Sequence, residues 1–510
     1  MKFQLALCLA TLGLAVKACL LPFEIDGTLQ HSLDHTWHRR AAVNRRSESE
    51  SSPATNFTEF PIGRGDRFRR GRRAPHGVGG ADRNMTSILN VREIRSGLLG
   101  LAHAYDDVKL FVAPYRTFES RRLYGVTVGN RPRVFIQSGV HARERGGPDF
   151  VLYFVADLLA ARAEGSGVRY GSQTYTNEQV RTALSAGIVL LPVVNPDGVV
   201  FDQRTNSCWR KNRNTKSALG SLSNRNSSAG TYRRVNGTVI DPSVGVDLNR
   251  NFAFMWDFRR LFDTRPGGNG RRGAAVSDDP GKEVFHGTAP LSEPETRNVA
   301  WLLRRHHTLS WFLDLHSLSG RVLYGWSDDD IQTTDPRQNF ANASYDGLRG
   351  HIEHGEADDS TARKDGDSRA ASAGQYGEFM EAADLRAEES AARRIADAMS
   401  RAGPLPYRPG PTASLYPAGG TAIDQALGPY YARECGAYRV HGLTVEFGDF
   451  SDSEDCPFYP DAAAYHHSMR QVAAGLMELL LTAAGPEGER KVYRCPKRRP
   501  IGDGDGALTR

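Results

Sequence analysis

The chain has 510 residues, of which 39% are hydrophobic and 24% charged, with a formal net charge of +6. This is the composition of a soluble globular protein of one to three domains with polar inserts, and no apolar run beyond the first 18 residues reaches membrane-spanning length. The positive charge comes mainly from arginine-rich segments near the two ends, which read as solvated basic arms rather than a nucleic-acid surface.

Residues 1–18 (MKFQLALCLATLGLAVKA) hold one early lysine, a short apolar run and small residues at Val16 and Ala18. That pattern predicts a secretory signal cut after Ala18; Lys17 spoils the lipoprotein reading that Cys19 would otherwise raise. The expected address is extracellular. Of six cysteines, Cys8 leaves with the signal, and Cys19, Cys208, Cys435, Cys456 and Cys495 remain. They are too scattered for a zinc knuckle, so disulfides are expected in an oxidising compartment. Cys435 and Cys456 flank one strand and its loop, which favours that pair. Sequons at Asn56, Asn84, Asn226, Asn236 and Asn342 agree with secretion.

Residues 19–83 lack sustained periodicity and are rich in arginine, serine and glycine. They read as a disordered leader or pro-segment, with RFRRGRR at 67–73 as a basic site where an activating protease would cut, at Arg69–Arg73. The alternative is a flexible arm that stays attached.

The main body is expected over 84–485. Ile88–Tyr105 reads as an amphipathic helix, followed by strands at Lys109–Val112, Leu123–Val128 and Val134–Val140. Pro148 opens a helix as far as Arg162, and Gly187–Val194 is a buried strand ending in the turn NPDG. Later come a helix at Pro294–His306, a strand at Trp311–Leu315, a helix at Glu388–Arg401, a strand at Leu443–Phe447 and a helix at Ala462–Ala483. Alternating strands and helices predict an α/β fold with a mixed sheet covered on both faces. Asn214–Val239 and Asp328–Leu385 read as polar surface insertions, and 486–510 as a basic tail.

The chemistry gathers at strand ends. SGVHARERGG (138–147) follows the strand at 134, and His141 and Glu144 are close enough to ligate one metal ion from a single turn. His316 ends the strand that begins at Trp311, with Asp314 on the same face as a candidate support for it. Glu446 sits inside the apolar run Gly442–Phe447, where an unpaired carboxylate would cost several kcal/mol. It is a candidate general base. CWRKNRN (208–214) and GVDLNRNF (245–252) offer Arg210 and Arg250, either of which could clamp a carboxylate bidentately.

In order, HARE, WRKNR, VDLNRN, DLHS, LYPAGG and VEFGDF resemble the zinc carboxypeptidases of the pancreatic A/B type, across roughly residues 86–484. The resemblance implies a mixed eight-stranded sheet with helices on both faces and one zinc ion per chain held by His141, Glu144 and His316. It implies Glu446 as the base toward a metal-activated water and Arg210 as the group that stabilises the oxyanion. Asn249 and Arg250 would grip the substrate's terminal carboxylate under Tyr416, and Arg143 would bind substrate further out. The implied partners are peptide and protein C-termini.

Two departures stand out: Arg145 replaces an aromatic after HARE, and Leu318 a tyrosine after the HS. An ungapped reading of YPAGGTAID puts Ile423 at the floor of the terminal side-chain pocket, which predicts apolar or aromatic ends. Asp328-Asp329-Asp330 also fall near that pocket, but read as a solvated loop. Two other functions compete: an amidohydrolase of the same superfamily acting on acylated amino acids, and a catalytically idle carboxylate-binding glycoprotein.

Overall fold

The computed structural model describes residues 58–80, 84–217, 233–235, 237–263, 275–350, 376–449, 456–486 and 491–495. The signal, Cys19, Asn56, Asn226, Asn236, most of the leader, residues 218–232 and 351–375, and most of the tail lie outside them.

The fold is a mixed eight-stranded sheet with helices on both faces. Its strands are β1 (Val108–Val112), β2 (Tyr124–Val128), β3 (Val134–Ser138), β4 (Ile188–Leu191), β5 (Trp311–His316), β6 (Arg321–Tyr324), β7 (Arg408–Pro411) and β8 (His441–Glu446), in the order β1-β2-β4-β3-β5-β8-β6-β7. The central strands β4, β3, β5 and β8 run parallel; β2 joins β4, and β6 joins β8, antiparallel. Buried on both faces, the parallel strands read as unbroken apolar runs. Side-chain alternation then splits them. Val134 and Ile136 join one core with Trp311, Leu313 and Leu315, whereas Phe135 and Phe312 join a second on the opposite face.

Helices α1 (Val91–Ala104), α2 (Gly147–Glu164), α3 (Asn177–Ser185), α6 (Ala382–Ala402) and α8 (Ala462–Ala484) bury their apolar faces in the first core. α5 (Pro294–Arg305) and α7 (Ala422–Tyr431) supply residues to the second. Local chemistry sets several starts: Asn90 and Glu93 form a reciprocal capping box for α1, and Asn195 caps α4 (Pro196–Thr205) through Gly198 N. NPDG is therefore a helix start as well as a turn. β6 and β7 escaped the sequence reading because both are short and β7 (RPGP) is an edge strand carrying two prolines. α6 begins six residues earlier than expected.

Three expectations change. The leader does not stay disordered to residue 83: residues 58–80 lie on the body. Phe60 is buried against Tyr465 (4.6 Å between ring centroids), and Arg67 donates to Glu93 Oε1 at 2.8 Å. Phe68 is buried beside Tyr153. Gly71 N donates to Ser96 Oγ, and Gly77 N and Gly79 N both reach the buried Asp157 carboxylate at 2.8 Å. The side chains of Arg69, Arg70, Arg72 and Arg73 are exposed, but their backbone folds back on Phe68 O through Gly71 N and Arg73 N.

The disulfides among the described residues are Cys208–Cys456 and Cys435–Cys495, not Cys435–Cys456. Cys456 meets a cysteine 248 positions away, across the fold. Finally, the ends of the 328–385 insertion are packed. Ile331–Gln332 pairs with Glu378–Phe379, and Trp326 and Met380 share a cluster with Ile423 and Tyr431. No helix among the described residues is long and apolar enough to cross a membrane.

If residues 58–80 are part of the body, Phe68→Ala should destabilise the protein by about 3 kcal/mol, as large-to-small core changes do. Urea unfolding measures this; an unchanged midpoint would return the segment to the status of a loose arm.

Candidate metal centre and substrate cleft

β3, β5 and β8 end on one edge of the sheet, with Ser138 beside Leu315 and His316 beside Glu446. Beyond β3 the chain makes a tight turn, Glu144 N donating to His141 O, before Gly146 adopts φ 106° and α2 begins. A Cβ at Gly146 would lie 2.6 Å from the Phe150 ring, so this turn needs glycine twice over.

His141, Glu144 and His316 converge, all buried, with ligand atoms within 4.8 Å of one another. His141 Nδ1 is 2.5 Å from Glu144 Oε1, and His316 Nδ1 is 3.0 Å from Glu144 Oε2 and 3.1 Å from His141 Nδ1. The outward nitrogens are also spoken for: His141 Nε2 faces Asp247 Oδ1 at 3.2 Å, and His316 Nε2 faces Asp314 Oδ2 at 2.8 Å. A carboxylate at Nε2 favours the tautomer with its proton there, which leaves two Nδ1 lone pairs and a carboxylate pointing at one another. Such a cluster needs a cation between its members, and two imidazoles with one carboxylate suit zinc with a position left open. Burial alone would raise the Glu144 pKa, but His141 and His316 beside it hold its carboxyl well below the usual range. His316 is pulled the other way: burial disfavours its charge, yet Asp314 and Glu144 raise it well above an ordinary histidine.

Asp247, which the sequence reading passed over, ties two parts of the site together. Besides facing His141, it accepts from Arg210 Nε and Nη2 on Oδ2, at 3.0 and 2.9 Å. Burial opposes its charge, but Arg210, Arg250 and His141 keep it ionised. The only local signal was a carboxylate between Val246 and Leu248.

His141, Glu144, Arg210, Tyr416, Glu446 and Phe458 line one cleft, with Leu318 on its wall. Arg250 is buried; its Nε donates to Ala275 O and its Nη1 to Asn249 O, while Nη2 is buried and makes no hydrogen bond. Its guanidinium carbon lies 5.5 Å from the centre of the Tyr416 ring. Asn249 is half-buried, its Oδ1 accepting from Ala422 N at 2.9 Å. Arg143 pairs with Glu283 at 2.9 Å and lies 4.3 Å above Phe458. Ile423 is buried on α7, facing Gly442 of β8. Asp328 and Asp329 are fully buried, so the acidic run is not a solvated loop.

A family model described as zinc carboxypeptidase matches residues 98–468. Curated relatives include carboxypeptidase B of Bos taurus, 30% identical over 218 residues (42% of this chain, 41% of the relative). Carboxypeptidase A2 of Rattus norvegicus is 29% identical over 199 residues, 39% of this chain and 36% of the relative. The chain thus matches less than half the length of these relatives. Among solved structures, carboxypeptidase A from Helicoverpa armigera gives a TM-score of 0.50 at 20% identity, over 79% of this chain and 75% of that one. That likeness concerns the fold.

The ligand set is testable without turnover. Native mass spectrometry should find one zinc ion per chain, and His316→Ala should lose it. Asp314→Asn should weaken zinc by about 10- to 100-fold, as loss of a ligand's supporting carboxylate does. Unchanged affinity in His316→Ala would overturn the assignment.

Proposed function

The chain belongs to the zinc carboxypeptidase family, and on that footing we propose that it is a secreted metallocarboxypeptidase that removes the C-terminal residue of peptides and proteins. The observation that carries this reading is the pairing of a ligand cluster fit for zinc with a buried arginine that keeps one donor unspent. Burying Arg250 with Nη2 unpaired is unfavourable unless a ligand completes it, and a free carboxylate beneath Tyr416 is the ligand of matching charge and shape. Secretion rests on the leader composition, the sequons and the two disulfides.

Zinc, when bound by His141, Glu144 and His316, supplies a Lewis acid that polarises the scissile carbonyl and acidifies a water molecule. Arg250 and Asn249 hold the terminal carboxylate, which restricts attack to the last peptide bond, and Tyr416 closes the cleft over it. Glu446, beside His316 in the register, takes the water's proton and then passes it to the leaving amine. Arg210, aimed by its paired hydrogen bonds to Asp247, faces the carbonyl oxygen as negative charge develops there. Arg143 meets the substrate farther out. The turn at Arg69–Arg73 supports a mature form that keeps residues 58–80, with any activating cut placed elsewhere.

For the terminal side chain, the apolar surroundings of Ile423, with Trp326, Leu427 and Tyr431, support apolar or aromatic ends. One observation favours basic ends instead: neither carboxylate oxygen of buried Asp328 makes a hydrogen bond, nor does Asp424 Oδ2. Burial, with Asp328 close by, pushes Asp424 up to about 8, although the buried Arg349 guanidinium acts on Asp328 from the other side.

Two measurements test these readings. Glu446→Gln should keep fold and zinc but lower kcat by at least about 100-fold, the scale of lost general-base catalysis; undiminished turnover removes Glu446 from its role. Two peptides differing only in a terminal Phe or Arg, compared by kcat/KM with and without chelator, decide the rest. Faster release of Phe supports the Ile423 pocket, whereas faster release of Arg that is lost in Asp328→Asn establishes the second reading. Hydrolysis of acylated amino acids with no peptide cleaved would overturn the proposal.

A further inference from the structure

Arg145 directly follows Glu144, in a position where a surface cation would be unremarkable. Instead it is buried, with 4% of its surface exposed. Its Nε and Nη2 fork onto Asp202 Oδ2 at 3.1 and 2.9 Å, and Nη2 also reaches Asn206 Oδ1 at 2.8 Å. The guanidinium lies 3.4 Å over the centre of the Tyr459 ring. The other oxygen, Asp202 Oδ1, accepts from Trp209 N at 2.8 Å and from the Tyr459 hydroxyl at 2.6 Å, and that hydroxyl accepts from Cys208 N at 2.8 Å.

The two oxygens of one buried carboxylate are thus divided between two loops. Oδ2 holds the residue after Glu144, and Oδ1 holds the peptide N–H of the residue before Arg210. Ala142 N closes the same gap from the other side by donating to Arg210 O at 3.1 Å. Tyr459 adds a third loop, whose neighbouring residue Phe458 lines the cleft and carries Arg143 on its ring.

We infer that Arg145, through Asp202 and Tyr459, is a positioning residue that sets the spacing between the metal-ligand turn and Arg210. This rests on the proposed function, in which Arg210 faces the reacting carbonyl. Arg145 touches neither substrate nor metal ligand side chains; it acts through the carboxylate both loops share. Two properties of arginine fit the task. Its planar fork fixes direction as well as charge, and its flat face stacks on an aromatic ring. Lysine at 145 retains a charge near Asp202 but loses the fork, the stacking and the bond to Asn206. A purely structural ion pair would affect stability and nothing else; a spacing device affects the rate, because misplacing a catalytic group by about 1 Å costs on the order of 100-fold.

The experiment is a double-mutant cycle on the zinc-loaded full chain, read with a peptide ending in whichever residue the wild-type enzyme releases faster. Arg145→Lys should retain zinc and a melting temperature near wild type, with kcat reduced by about 10- to 100-fold and KM little changed. In an Arg210→Ala background the same substitution should cost almost nothing, because the group it positions is gone. Unchanged kcat in Arg145→Lys, losses that add in the double variant, or loss of zinc would each overturn the inference. If Arg145→Lys does not fold, Tyr459→Phe decides by the same cycle: it leaves the ring beneath Arg145 and removes only the hydroxyl that joins Asp202 to Cys208. A wild-type enzyme that releases no terminal residue would fail the proposed function before the cycle begins, so the two failures are distinct.

Discussion

Three neighbouring strands that run the same way must end on the same edge, and the site depends on that constraint. β3, β5 and β8 are adjacent and parallel, so the turn after β3, the last residue of β5 and the last residue of β8 share one rim. The register sets Glu446 beside His316 without any loop having to reach. The candidate ligands and Glu446 therefore inherit the rigidity of the sheet, where open α/β folds place ligand sites.

A rim of this kind gathers charge, and burial makes each charge depend on its neighbours. Asp247 is tolerable only because Arg210, Arg250 and His141 surround it, and Arg210 is held in place by the same carboxylate. Asp314 depends in the same way on His316. Removing one member of such a network leaves a partner buried and unpaired, which is costlier than never having had the pair. Site architecture and local stability are here one set of interactions.

Much of this was legible in the sequence, for physical reasons. His141, Glu144, His316 and Glu446 could be singled out because each stands at the end of a strong apolar run, where such residue types are out of place. Asp247 announced itself only weakly, since its partner His141 lies 106 positions away and no local pattern records that meeting. Arg145 read as a mere departure because Asp202 and Tyr459 come from separate elements. The disulfides depend on where loops return, which spacing does not encode. Residues 58–80 read as a disordered leader because periodicity is blind to their mode of attachment: backbone N–H groups held by Ser96 and Asp157. The buried Asp328 and Asp329 resemble any acidic loop until the strands on either side of them are in place.

The docking of Phe60 on Tyr465, with Glu59 bridged to Asp461, has a consequence for the order of events during synthesis. α8 emerges from the ribosome among the last elements of the body, and Met85 N finds His466 across 381 positions. Arg67, Gly71 and Gly77 can settle as soon as α1 and α2 exist, and Pro61 and Gly63 pair with Ile88, but Phe60 has no seat until α8 is made. A nascent chain thus carries an unsealed beginning almost to its completion.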